Sequence, residues 1–304
     1  MTTGPRPSLT LIAQPDFDPV HRFSAWLGRL RKAEATIDAY HADVADLVRA
    51  FAPRRASELT PHDVRTYLAG RAQHEEWAAA TVRRHLHGIK SFYRYLVAHE
   101  GLRAPGPAEK LTEPARAAEA PFVLSVSDTQ RLFAHLVASA RPDDARLQRM
   151  DLALFGLCYH AALLVSEAVG LTVDASRGWA GAMRLTVVGR RGVETQVTLE
   201  GDAARWLSTW LDERPHALLA AEDRFVFVHP WTRRHTSRQR AWHRLRSVSR
   251  AAGLDAEIVA RIGPHTLRHS YAAHLAARAA GVAALRDALR QRSPRHAVKY
   301  IAAE

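Results

Sequence analysis

A chain of 304 residues is longer than one ordinary helical core requires and fits two domains. Hydrophobic residues make up 47%, enough for each half to bury a core, which excludes a disordered chain. The formal net charge of +12 rests mostly on arginine, since lysines such as Lys90, Lys110 and Lys299 are few. Such a surface suits a polyanionic partner, most often nucleic acid; a composition biased toward Arg and Ala is the alternative source of the charge. Cys158 is the one cysteine, so no internal disulfide or cysteine zinc site can form, and its apolar surroundings read as a buried small hydrophobe. No run approaches roughly 18 apolar residues, and the N-terminus lacks a secretory pattern. The expectation is a cytoplasmic protein with no membrane partner.

Residues 1–16 read as a loose tail rich in Pro and Thr. Four helical patterns follow. Val20, Phe23, Trp26, Leu27 and Leu30 give the first, over about 19–32. Ile37, Tyr40, Val44, Leu47, Val48 and Phe51 give the second, over about 36–52. Thr60-Pro61 opens the third, which runs to about His74, as an N-cap followed by proline in the first turn. The fourth spans about 78–99, with Val82, Leu86, Ile89, Phe92, Tyr93 and Leu96 inward and Arg83, Arg84, Lys90 and Arg94 on the same helix. This places a helical domain at 17–100. The segment 101–121 carries four prolines and no apolar period, and reads as a linker.

The second domain is then 122–304. Helices are expected over about 128–140 and over a longer stretch, about 145–169. In 182–199, Leu185, Val187 and Val188, then Val193, Val197 and Leu199, flank a Gly-Arg-Arg-Gly turn, which reads as a β-hairpin. Helices resume at about 202–219 and 236–252, with the short FVFV segment at 225–228 between them, and again from Pro264 to Tyr300. The fold class is mainly α in two domains, the second with a small β-sheet. To this point the pattern suits a transcription regulator as well as an enzyme.

The stretch GPHTLRHSYAAHL, 263–275, carries the chemistry. His265 and Arg268 are three residues apart at a helix start and share one face. That pair, with the positive end of the helix, can grip a phosphate. By spacing alone a surface helix with basic residues is the competing account. His265, His269 and His274 lack the carboxylate or cysteine cluster a metal site needs, so no metal is expected.

PHTLRHSYAAHL resembles the His-x-x-Arg box of the tyrosine recombinases, the Xer and phage integrase family. Further segments match in order. CYHAALLVSEAVGL (158–171) resembles the family's first box, the hairpin with Arg190 its β-turn segment, and AWHRLRSVSRAAGL (241–254) the helix preceding the His-x-x-Arg box. Tyr300, nine residues after Gln291, stands as the family's nucleophile does. ATIDAYHADV and TVRRHLHGIKSFYRYLV resemble parts of the family's core-binding domain, so the likeness covers about 17–304.

The resemblance implies attack by a tyrosine on a DNA phosphodiester, a 3′-phosphotyrosine intermediate, and no cofactor, because the bond energy stays in the intermediate. Tyr300 would be the nucleophile, Arg268 would hold a non-bridging oxygen, and His265 would assist proton transfer. The family's hairpin lysine falls at Arg190, beside Arg191, and its last histidine falls at Gln291, preceded by Arg290. The family's first arginine falls at Leu164, which can neither donate a hydrogen bond nor carry charge, and Arg190, Arg191 or Arg290 are the residues that could fill part of the space it leaves. Losing one transition-state donor typically costs about 10²–10³ in rate, so a degraded pocket is expected. Arginine at 190, which holds its proton at every working pH, would also be a poor proton donor. Glu167 would stay near the pocket as a supporting partner.

The helix carrying Arg238, Arg240, Arg244, Arg246 and Arg250 would contact phosphates and base edges, unless those side chains only form a solvated face. The expected partner is double-stranded DNA, clamped between the domains with salt-dependent affinity, together with a second copy or a partner recombinase, and the expected location is the nucleoid. Glu304 ends the sequence four residues after Tyr300, where family members often continue into a helix that docks on a neighbouring subunit, so cyclic exchange of such helices is not expected.

Overall fold

The computed structural model describes residues 17–114, 121–138, 144–179, 182–189, 192–278, 281–290 and 300. Backbone contacts divide the chain into two units, Met1–Ala118 and Glu119–Glu304.

In the first unit, α1 (Asp18–Arg29), α2 (Glu34–Phe51), α3 (Pro61–His74) and α4 (Ala79–His99) pack around one core. Apolar residues three and four apart bury Val20, Phe23 and Leu27 of α1 in the core, with Phe23 packed against Phe92 and Tyr95 of α4. Thr60 caps α3 reciprocally: its Oγ1 accepts from the Asp63 amide at 3.2 Å, and Asp63 Oδ2 accepts from the Thr60 amide at 2.8 Å. The segment expected as a linker is in part a piece of this core. Ala108 and Leu111 are buried in it, Arg94 pairs with Glu109 at 3.1 Å, and Arg83 donates to the Pro114 carbonyl at 3.2 Å. Its prolines prevent regular structure but leave single apolar side chains able to dock.

The second unit is built around α6 (Ala145–His160), which is apolar on nearly every side and is therefore enclosed. It is flanked by α5 (Val126–Ala138), by α8 (Gly201–Glu213) and by α9 (Arg238–Ala251). Cys158 is buried on α6. The helix expected over 145–169 is interrupted. Ala162 has φ +47, in the left-handed region, and the chain restarts as the short α7 (Val165–Val169). Leu163 and Val165 stay buried on both sides of the break, so the hydrophobic run continues through it and hides it from periodicity.

The sheet is antiparallel in the order β1 (Ser176–Trp179), β2 (Ala182–Val188), β3 (Glu194–Glu200). The hairpin is present and a further strand, β1, joins it. Met183, Leu185 and Val187 alternate inward, while Val188 is 55% exposed, as period-two geometry requires. Gly192 in the turn has φ +72, which glycine adopts without steric cost. The FVFV segment buries Val226, Phe227 and Val228, and Trp210 Nε1 donates to the Val226 carbonyl at 2.9 Å. After α9 come α10 (Ala256–Arg261), α11 (Thr266–Ala276) and α12 (Val282–Ala288). Ala162, Ala272, Leu285, Leu289 and Tyr300 form a separate small cluster that brings the C-terminal part of the chain to the break after α6.

Candidate active site

The interruption after α6 prepares the site. The carbonyl groups of Ala161 and Ala162, released from helical pairing, accept hydrogen bonds from two arginines. Arg268, on the first turn of α11, is buried, and its Nη1 and Nη2 donate to the carbonyls of Ala162 and Leu289. Burial, then the neighbouring Arg290 charge, lower its pKa, and Glu167 opposes them.

Arg290 follows α12 with φ +50, in the left-handed region. Its Nη1 donates to Ala161 O at 2.8 Å, and its Nη2 donates to Ala162 O and to Glu167 Oε2, each at 3.0 Å. Glu167 Oε2 also accepts from the Leu164 amide at 2.9 Å and lies 3.9 Å from Arg268 Nη1. One carboxylate thus fixes the start of α7 and faces both guanidinium groups.

Tyr300 is buried against this wall, and its hydroxyl is paired with His269 Nδ1. Burial pushes its phenol up to about 12, and the Arg268 charge pulls the other way. His265 is exposed at the N-cap of α11, with its ring centroid 6.0 Å from that of His269. His274 is structural. Its Nε2 meets the Leu124 carbonyl at 3.0 Å and so carries the proton, leaving Nδ1 to accept from the Tyr159 hydroxyl at 2.8 Å. Among the described residues no group of His, Cys, Asp or Glu is arranged to hold a metal ion.

Of the residues singled out in the sequence, Tyr300 and Arg268 come together here, Glu167 lies beside Arg268, and Leu164 is half-buried at the start of α7. Arg190, Arg191 and Gln291 lie outside the described residues. His269 was not assigned to the pocket by sequence reasoning, and Arg290 was named only as one of three arginines able to fill the space at Leu164. His269 had a signal, since it follows Arg268 directly and lies one helical turn from His265. Sequence alone did not single out Arg290 among the three, because its position depends on a backbone conformation rather than on spacing.

The arginines of α9 divide by helical face. Ser237 caps the helix, its Oγ accepting from the Arg240 amide at 3.2 Å. Arg238 is exposed, and half-buried Arg240 reaches Thr232 Oγ1 at 3.4 Å. Arg244 turns inward to the fully buried Asp151. Arg246 donates to the Val259 carbonyl at 3.1 Å and lies over the Trp242 ring. His243 and Arg250 share the exposed side of α9. On α4, Arg84 grips the buried Asp43 at 2.7 Å, and Lys90 is half-buried.

The Phage integrase family model matches residues 123–304, and the model of the phage integrase N-terminal SAM-like domain matches residues 20–101. The chain belongs to the phage integrase family of tyrosine recombinases. This integrase-family chain is 31% identical to the tyrosine recombinase XerD of Rhizobium meliloti over 278 residues, covering 89% of this chain and 86% of that one. It is likewise 31% identical to XerD of Proteus mirabilis over 255 residues, 83% of this chain and 77% of the relative. In fold it is similar to the XerH site-specific recombinase bound to a palindromic difH substrate, with TM-score 0.70, 14% identity, and 96% of this chain and 87% of that chain covered. A lambda integrase dimer bound to a COC′ core site gives TM-score 0.67 at 15% identity, over 94% of this chain and 77% of the other.

Proposed function

We propose that this integrase-family chain binds duplex DNA and cuts one strand at a specific site through Tyr300, as a step of DNA recombination. The observation that carries this is the buried phenol held against His269 on the wall formed by Arg268. In the step, Tyr300 Oη forms a bond to phosphorus and the bond from phosphorus to the 5′-oxygen breaks. With its own proton on Nε2, His269 takes the phenol proton at Nδ1, and that proton passes from the imidazolium through solvent to the departing 5′-oxygen, which leaves His269 neutral and the step balanced. Arg268 neutralises charge that grows on a non-bridging oxygen. His265, Arg190 and Gln291 are further candidates around the phosphate, as the sequence resemblance implies. Arg83, Arg84, Lys90, Arg191, Arg238, Arg240 and Arg246 are candidate DNA contacts, of which Arg238 is the one that lies exposed on α9, whereas Arg244 is taken up by the buried Asp151.

A second reading is a chain that binds DNA beside an active partner and cleaves little. The observation favouring it is Leu164, an apolar side chain where the family resemblance places an arginine.

Covalent capture separates the two. The chain is mixed with nicked duplexes selected for binding and denatured in SDS, and a protein–DNA adduct is sought with Tyr300→Phe as control. An adduct that the control abolishes supports cleavage. No adduct on DNA that the chain binds refutes cleavage by the chain alone and favours the second reading.

A further inference from the structure

Two guanidinium groups in the second unit share one carbonyl and one carboxylate. Arg268 Nη1 and Arg290 Nη2 both donate to Ala162 O, and Glu167 Oε2 lies 3.0 Å from Arg290 and 3.9 Å from Arg268. The three side chains are only 10–15% exposed. Among the described residues, two cations facing one carboxylate leave a surplus of one positive charge in a largely desolvated place. Surplus charge there is costly unless an anion completes the set. A phosphodiester carries the single negative charge that would do so.

Arg290 adopts φ +50, a conformation that disfavours any residue with a Cβ. An observed outlier of this kind at a site motivates a functional assignment. Its described partners occupy three of its five N–H donors, so the fork can still reach a ligand. Its anchor points, Ala161, Ala162 and Glu167, surround the start of α7, where Leu164 offers no charge.

We propose that Arg290 is the second phosphate-contacting arginine of this pocket, reaching from the end of α12 the place beside Arg268 that Leu164 leaves without a cation. The proposal rests on the pocket being a phosphodiester site. It makes the rate loss expected from Leu164 avoidable, because the donor arrives from another element rather than disappearing.

The test compares the chain with Arg290→Gly and with the exchange Leu164→Arg/Arg290→Gly. Glycine suits φ +50, so the backbone tolerates the change. Arg290→Gly is expected to slow adduct formation on the selected nicked duplex by about 10²–10³-fold. Duplex affinity is expected to change less than about tenfold, as for one phosphate contact among many. The exchange is expected to recover the rate to within about tenfold, which a strut holding Ala161 and Ala162 would not do. A wild-type rate in Arg290→Gly overturns the proposal, as does a slowed variant that the exchange leaves slow while it folds.

A readout that needs no cleavage keeps this separate from the activity of Tyr300. Thermal midpoints are measured as orthophosphate replaces chloride at constant ionic strength. The surface arginines are common to all three proteins, so the difference between them isolates the pocket. A smaller phosphate-induced rise in Arg290→Gly, restored by the exchange, supports Arg290 even if no protein forms an adduct, in which case the cleavage reading alone fails. Equal rises in all three overturn the proposal.

Discussion

Arg244 decides between two accounts of the α9 arginines. Sequence reasoning groups it with Arg238 and Arg240 as a contact to DNA. In the fold it is paired with Asp151, a fully buried carboxylate on α6. Burial pushes the Asp151 acid up to about 6 even though Arg244 pulls it down. Arg244→Ala therefore leaves a buried carboxylate with no countercharge. Removing one partner of such a pair costs about 3–5 kcal/mol. Arg244 is 29% exposed, so the lower end applies, about 3 kcal/mol or roughly 6–12 °C for a unit of this size. The pH dependence follows from the sign of the shift. An acid whose folded pKa is raised contributes stability fully present below its unfolded value, about 4, and lost as pH rises through the folded value. For the wild type that window is about pH 4–6. In Arg244→Ala the folded value rises further, so the penalty is large at pH 7.5 and shrinks toward pH 5, where Asp151 is protonated. Urea unfolding of both proteins at pH 5.0 and 7.5, with duplex affinity measured on the folded variant, checks this. A loss under about 1 kcal/mol that is equal at both pH values would refute the reasoning, and a large affinity loss without destabilisation would restore Arg244 as a DNA contact.

His269→Ala is expected to lower the adduct rate about 10²–10⁴-fold with duplex affinity unchanged, the usual worth of a positioned proton acceptor. With the phenol at about 12, the residual rate of that variant should climb about tenfold per pH unit between 7 and 9, because only the phenolate attacks. A variant as fast as wild type, or one with a flat pH profile, argues against this role. Arg238→Ala, at the exposed start of α9, should weaken binding to all duplexes alike and reduce the slope of log affinity against log salt by about 1. An unchanged slope removes Arg238 from the interface.

The sequence by itself determined the helical segments of the first unit and the β2–β3 hairpin, because apolar periods of 3.6 and 2 are local properties. Through the ordered motifs it also indicated the family, and it pointed to Tyr300 and Arg268 as candidate site residues. It could not show that the 145–169 stretch breaks at Ala162, since buried Leu163 and Val165 carry the apolar pattern across the break. Nor could it show which α9 arginines point inward, because that depends on Asp151 lying opposite Arg244 from a helix 93 residues away in sequence. The wall around Tyr300 belongs wholly to the tertiary structure. It needs the freed carbonyls of Ala161 and Ala162, a left-handed residue at Arg290, and the return of Tyr300 to His269. Each joins groups far apart in the chain, and long-range packing, which no local period encodes, brings them together.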